Sequence, residues 1–184
     1  MYAARKVHVK QWDFQKPKER FTVQIARDGR TVKGIQPDRI SNVEEDVMSW
    51  RKANHIHAWF VDNVQDGEDD CKEYHVSWDK LEELHSVCTK VAEASKLVDG
   101  MVYAGTVYDK KHPKGLVQRT AGKLLKSPAV AKKLLPTRAG FFFGGTEYDE
   151  DYLSDVVATQ EWAARMLADR KAGVPGDIYY SSSW

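Results

Sequence analysis

The stretch "EDVMSWRKANHIHAWFVDNVQ", Glu45 to Gln65, decides how the first half of the chain folds. At about 100° per residue, Val47, Trp50, Ala53, Ile56, Phe60, Val61 and Val64 fall on one broad face, so the spacing predicts one helix across the whole stretch. Asn54 and His57 fall on that same face, while Arg51, Lys52, His55 and Asp62 fall on the other side. A polar group left unpaired on a buried face costs about 1–3 kcal/mol, so Asn54 and His57 each require a partner. Glu147, Tyr148 or Gln160 would serve in a core network; otherwise the two groups line a ligand cleft between the first and last helices.

Before this stretch the chain is β-rich. "KVHVKQWDF" alternates, and "RFTVQIARDGRTVKGI" predicts a hairpin turning at Asp28-Gly29, with Pro37 closing the region. After it, "QDGEDD" is an acidic loop. A second helix over Asp79–Val98 carries the stripe Leu81, Leu84, Val87, Cys88, Val91 and Val98, and Ser77 or Trp78 marks its start. "GMVYAGTVYD" reads as a strand or an extended arm, and "KKHPKG" as a loop. "LVQRTAGKLLKSPAVAKKLLP" predicts one or two short helices broken at Pro128 and stopped at Pro136. A last helix spans Glu147–Lys171, its face holding Tyr152, Val156, Val157, Ala163, Ala164 and Leu167, with Gly173 at its C-terminal end. "GDIYYSSSW" closes the chain as a short strand. The fold class is α+β: three main helices packed with a small, mostly antiparallel sheet, in one domain of 184 residues.

Charge is nearly balanced at +1, yet segregated. Asp62–Glu83 carries nine acids and two bases, and Asp109–Arg138 nine bases and one acid. Such blocks make a dipolar surface, which either pairs solvated faces between subunits or turns the basic block toward an anion. The chain as a whole is not basic and its aromatics lie outside the basic block, which argues against a long nucleic-acid track. No apolar run reaches the roughly 18 residues of a membrane span, and the N-terminus lacks the core of a signal peptide. Two cysteines, Cys71 and Cys88, read as reduced thiols in a cytosol.

"GGTEYDE" at Gly144–Glu150 has the glycines of a phosphate loop but lacks its Lys-Ser/Thr, and its acids repel phosphate. Thr146 with Asp149 resembles a capping box. As a strand, "FFF" sends Phe141 and Phe143 to one side and Phe142 to the other. No metal-ligand spacing, nucleophile elbow or cofactor motif occurs, so no metal or cofactor is expected. A Glu147–His57 acid/base pair would serve an enzyme acting on a nucleotide or other small molecule, though structural networks share that composition; in a module that inhibits a host enzyme, Trp59 and Trp162, off the apolar faces, would be the interface anchors.

Three segments carry a family likeness: "WRKANHIHAWF" (Trp50–Phe60), "LLPTRAGFFFGGTEYDE" (Leu134–Glu150) and "IYYSSSW" (Ile178–Trp184). In this order they resemble a widespread family of small phage proteins, over most of Asn42–Trp184. Met1–Pro37 and the long basic block after Tyr103 depart from that pattern. The chain is also similar to the phage anti-CBASS sponge type. The resemblance implies a homo-oligomeric, non-catalytic protein in the host cytoplasm that sequesters a cyclic dinucleotide immune signal, without membrane or long nucleic acid as partner. On that basis Arg51 or Arg138 would meet phosphate, and Asn54, His57, Thr146 and Glu147 would bond base or ribose edges. Phe143, Tyr148 or Trp184 would stack, and Tyr179 of the last motif would complete the site.

Overall fold

The computed structural model describes residues 1–140 and 145–183. The expected Phe141–Phe143 strand and the roles given to Phe143 and Trp184 lie outside these residues. The fold is α+β. Strand β1 (Tyr2–His8) is central in a four-stranded antiparallel sheet with β4 (Asn42–Ser49), β5 (Tyr74–Val76) and β8 (Asp177–Ser181), in the order β4-β1-β8-β5. Between β1 and β4, β2 (Ala26–Arg27) and β3 (Arg30–Thr31) form the expected hairpin. Asp28 and Gly29 turn it with φ of 50° and 72°, the left-handed pair a two-residue hairpin requires.

The single helix expected over Glu45–Gln65 is corrected. Asn42–Ser49 is strand β4, and helix α1 spans only Asn54–Asn63. Pairing with β1 overrides the local period: Glu45 lies opposite Arg5 and Glu44 opposite Lys6, giving ion pairs of 2.6 Å and 3.3 Å. Lys52, at φ 64°, also blocks a continuous helix.

Helix α2 (Trp78–Ala94) starts as expected, with the Ser77 hydroxyl accepting from the Lys80 N–H. It ends short of Val98, because Leu97–Val107 forms β6, paired along its length with β7 (Leu116–Leu125). Where a short helix was expected before Pro128, Leu116–Leu125 is thus a strand. Its Val, Thr and Gly residues tolerate either state, and the long ladder with β6 selects one. Helix α3 (Ala129–Leu134) follows Pro128 as expected, and the chain ends in α4 (Glu150–Lys171) and β8.

Helices α1, α2 and α4 cover one face of the main sheet. Ile178 and Tyr180 of β8 point into this layer beside Val76, and Leu81, Leu84, Cys88 and Val91 of α2 pack there against Val156, Ala163 and Met166 of α4. The buried face of α4 is rotated from the one the spacing predicts, with Trp162 inside and Ala164 exposed. Trp59 and Trp162 are both core residues, 6% and 2% exposed, so neither anchors a partner. Trp50 lies at the centre of an aromatic cluster, 5.7 Å from Phe60, 5.3 Å from Trp162 and 6.1 Å from Tyr180.

Leu84→Ala should lower stability by about 2–5 kcal/mol in urea unfolding, because it opens a cavity between α2 and α4. Val98→Ala, on the same expected stripe but 40% exposed on β6, should stay within about 0.5 kcal/mol of the parent. Equal losses would contradict the α2/β6 boundary.

Candidate functional site

A cleft of about 340 Å³ opens between the N-terminal end of α1 and the first turns of α4. This lies at the small end of ligand pockets, which run about 300–1,000 Å³. Arg51 and Lys52, in the exposed turn between β4 and α1, line one side. Asp151 and Asp155, one turn apart on α4, line the other, with Glu147 and Asp149 at the mouth of the helix.

Asn54 ties the cleft to the segment before α4. Its Oδ1 accepts from the Arg138 backbone N–H (2.8 Å) and its Nδ2 donates to the Gly145 carbonyl (2.9 Å). Both functions of the amide are thereby used on backbone, a partner set not visible from side-chain types. Thr137 fastens the same segment, donating its hydroxyl to the Thr146 carbonyl (3.0 Å) and its N–H to the Tyr148 hydroxyl (3.2 Å).

The expected capping box is corrected. Asp149 is itself the N-cap of α4, accepting from the Tyr152 N–H (3.0 Å), and Thr146 plays no capping part. Glu147 accepts from the Tyr103 N–H (2.7 Å) and pairs with Arg119 (2.7 Å), which fastens the β6–β7 hairpin to the rim of the cleft. Of the residues expected to converge, Arg51, Asn54 and Glu147 line the cleft together. His57 belongs to another cluster, with Nδ1 2.6 Å from the Tyr180 hydroxyl and Nε2 3.1 Å from Asp69. Glu147, Tyr148 and Gln160 are therefore not the partners in these contacts. Gln160 instead donates to Thr89 (3.0 Å). Tyr179 lies on the opposite face of the sheet, beside His75 and Lys6. Arg138 pairs with Asp62. Tyr148 packs against Tyr152, ring centres 4.9 Å apart, at the edge of the core.

The sequence period placed His55 away from the core. In the structure it is 3% exposed, its ring 4.2 Å from that of Tyr152, and it lines the cleft. Shortening the helix to begin at Asn54 removes the premise of that assignment. Burial pushes the imidazole down to about 3, so it is neutral, and its Nε2 has no hydrogen-bond partner among the described residues. Asp155 is the other group the sequence missed. Its i, i+4 relation to Asp151, next to the apolar Val156, was the available signal. Its carboxylate makes no hydrogen bond or ion pair among the described residues. Burial, then the charges of Asp151 and Asp149, push it up to about 6. Tyr152, between the two acids, is held by donating its hydroxyl to the Leu135 carbonyl (2.9 Å).

Among the described residues, no cluster of three or more His, Cys, Asp or Glu side chains is placed to hold a metal, and no helix is long and apolar enough to cross a membrane. Cys71 is exposed and Cys88 buried, unbridged, with burial pushing the Cys88 thiol up to about 12. Among known proteins, no family model matches the chain, no curated protein matches it, and no solved structure matches it.

Asp155 gives a pH signature. Its folded-state value lies above the usual 3.8, so the folded chain holds this proton more tightly than the unfolded chain. The stability it contributes is present below about pH 4 and lost as pH rises through about 6. Asp155→Asn should therefore gain about 1–2 kcal/mol at neutral pH after allowance for solvent screening, or a few degrees in Tm. The gain should shrink toward zero near pH 4 in thermal melts; a pH-independent difference would contradict the assignment.

Proposed function

We propose that this protein binds a small nucleotide in the α1–α4 cleft and withholds it without converting it, as a phage-encoded sponge for a host immune signal. The observation that carries this reading is that one small cleft faces two cations with two carboxylates, none of them paired among the described residues. Arg51 and Lys52 stand on one side, and on the other Asp151 and Asp155, whose carboxylates have no partner among the described residues. A nucleotide needs such a two-sided site, because its phosphate takes cations while its base offers N–H donors to acceptors. The N-terminal end of α1 adds backbone N–H groups and the positive end of a helix dipole beside Arg51 and Lys52. The cleft volume suits one nucleoside-phosphate unit, so a cyclic dinucleotide would enter by one half. The likeness to small phage proteins in the segments Trp50–Phe60 and Leu134–Glu150, both of which border the cleft, supports the same reading.

Acid–base catalysis by Glu147 and His57 is the rival. Among the described residues the two share no hydrogen bond or ion pair: Glu147 is engaged by Tyr103 and Arg119, and His57 contacts Tyr180 and Asp69.

A panel of nucleoside monophosphates, cyclic mononucleotides and cyclic dinucleotides tests the proposal. A binder at a hundredfold excess over its Kd should raise Tm by about 5–10 °C, and Arg51→Ala with Lys52→Ala should remove most of that shift. Heat-denatured complex should release the ligand chemically unchanged. A released product would favour the enzyme, and no shift across the panel would end the nucleotide reading.

A further inference from the structure

The segment between β1 and β4 has a composition and a geometry of its own. Residues 10–39 carry eight bases against four acids, an excess of four in a chain whose whole net charge is +1. Unlike the block Asp109–Arg138, this segment has aromatics among its bases. The loop 11–21 is cross-tied by its own polar groups. The Trp12 N–H donates to Gln15 Oε1 (2.8 Å), and the Gln15 N–H donates to the Trp12 carbonyl (3.0 Å). The Arg20 guanidinium donates to the carbonyls of Gln15 (3.2 Å) and Trp12 (3.4 Å), and the Gln11 amide to that of Phe21 (3.0 Å). These ties hold apolar rings out in water: Phe14 is 83% exposed and Trp12 49%. The two ring centres lie 6.2 Å apart with planes 17° from parallel, and Lys10 Nζ stands 4.5 Å from the centre of the Trp12 ring.

Burying these rings would stabilise the chain, yet the ties keep them exposed. A partner that stacks on them removes that area from water without first ordering the loop. The column favours a planar partner, and the charge around it an anionic one. Lys16 and Lys18 lie in the same loop, exposed and in no ion pair among the described residues. Arg27 and Arg30, exposed on either side of the Asp28-Gly29 turn, add to the positive field. An unpaired nucleic-acid strand offers both base faces and phosphates, whereas a duplex keeps its base faces stacked inside. An anionic membrane would also attract this charge. Insertion, however, would carry the exposed Asp13, between the two rings in sequence, into the bilayer, where a carboxylate is costly. We infer that the loop 11–21 is a stacking platform for a short stretch of single-stranded nucleic acid. A base extends the Trp12–Phe14 column from the Phe14 ring, and Lys16 and Lys18 meet the phosphates. The platform shares no residue with the α1–α4 cleft, so it stands or falls apart from the nucleotide proposal.

Fluorescence anisotropy of the full chain with labelled oligo-dT and oligo-U of about 12 nucleotides tests it, beside a duplex of the same length. Binding to either single strand supports the inference, and the difference between them shows which sugar is preferred. Trp12→Ala with Phe14→Ala should weaken binding about tenfold or more, whereas Trp12→Tyr with Phe14→Tyr should keep most of it. Lys16→Ala with Lys18→Ala should weaken binding and flatten the slope of log affinity against log salt by about 1. All four positions are exposed, so each double variant should melt within about 2 °C of the parent. Single-strand binding unchanged by Trp12→Ala with Phe14→Ala would overturn the assignment, as would a duplex bound as tightly as oligo-dT. Binding to phosphatidylserine vesicles but to neither single strand would overturn it in favour of a membrane surface. Binding to neither strand nor vesicle would overturn it outright.

Discussion

The packing of Trp50 is the interaction on which the rest of the structure depends. Trp50 stands where β4 ends and the turn into α1 begins, and its ring meets Phe60 of α1, Trp162 of α4 and Tyr180 of β8. Phe60 and Tyr180 stack at 3.9 Å beside it, and the indole N–H donates to the Thr159 hydroxyl of α4 (2.8 Å). Backbone joins in, with the Trp50 N–H donating to the Met1 carbonyl (2.9 Å). One residue thus couples the sheet, the first helix and the last helix. Buried aromatic area and a satisfied indole N–H act together here. Arg51 and Lys52 follow immediately, so the cluster that closes the core also sets one side of the cleft.

The cleft itself is built against stability. Asn54 is fully satisfied by the backbone of Arg138 and Gly145, as a buried amide should be. Its neighbour His55 is not, and Asp155 is held partly out of water beside two other carboxylates. A fold selected only for stability would remove or pair both groups. Their presence in one cleft with Arg51 and Lys52, which make no ion pair among the described residues, is the physical reason for proposing a ligand there. The β6–β7 hairpin reaches the same rim through Arg119 and Glu147, so part of the basic block is spent on holding Glu147 in place.

Much of the architecture was legible because it is encoded locally. The Ser77 cap, the Leu81–Leu84–Cys88–Val91 stripe, the Asp28-Gly29 turn and the closing strand each depend on a few adjacent residues. Two segments were illegible for one reason. Asn42–Ser49 and Leu116–Leu125 carry apolar spacing that fits a helix, and only pairing with β1 and β6 makes them strands. That error propagated to the site: a helix begun at Glu45 turned His55 outward and Trp59 off the core face. Asn54 and His57 were recognised as polar groups needing partners. Their partners were a backbone segment and Tyr180 with Asp69, which no side-chain inventory identifies.

The central proposal is that the α1–α4 cleft, rather than the His57–Tyr180 cluster or the outer sheet face around Tyr179, receives a nucleotide. Amide chemical-shift mapping of the ¹⁵N-labelled chain during addition of a cyclic dinucleotide tests it most directly. The account predicts saturable shifts concentrated at 51–55 and 145–155, with Tyr179 and His75 unmoved. Shifts centred on β8 and β5, or none at all, would contradict it.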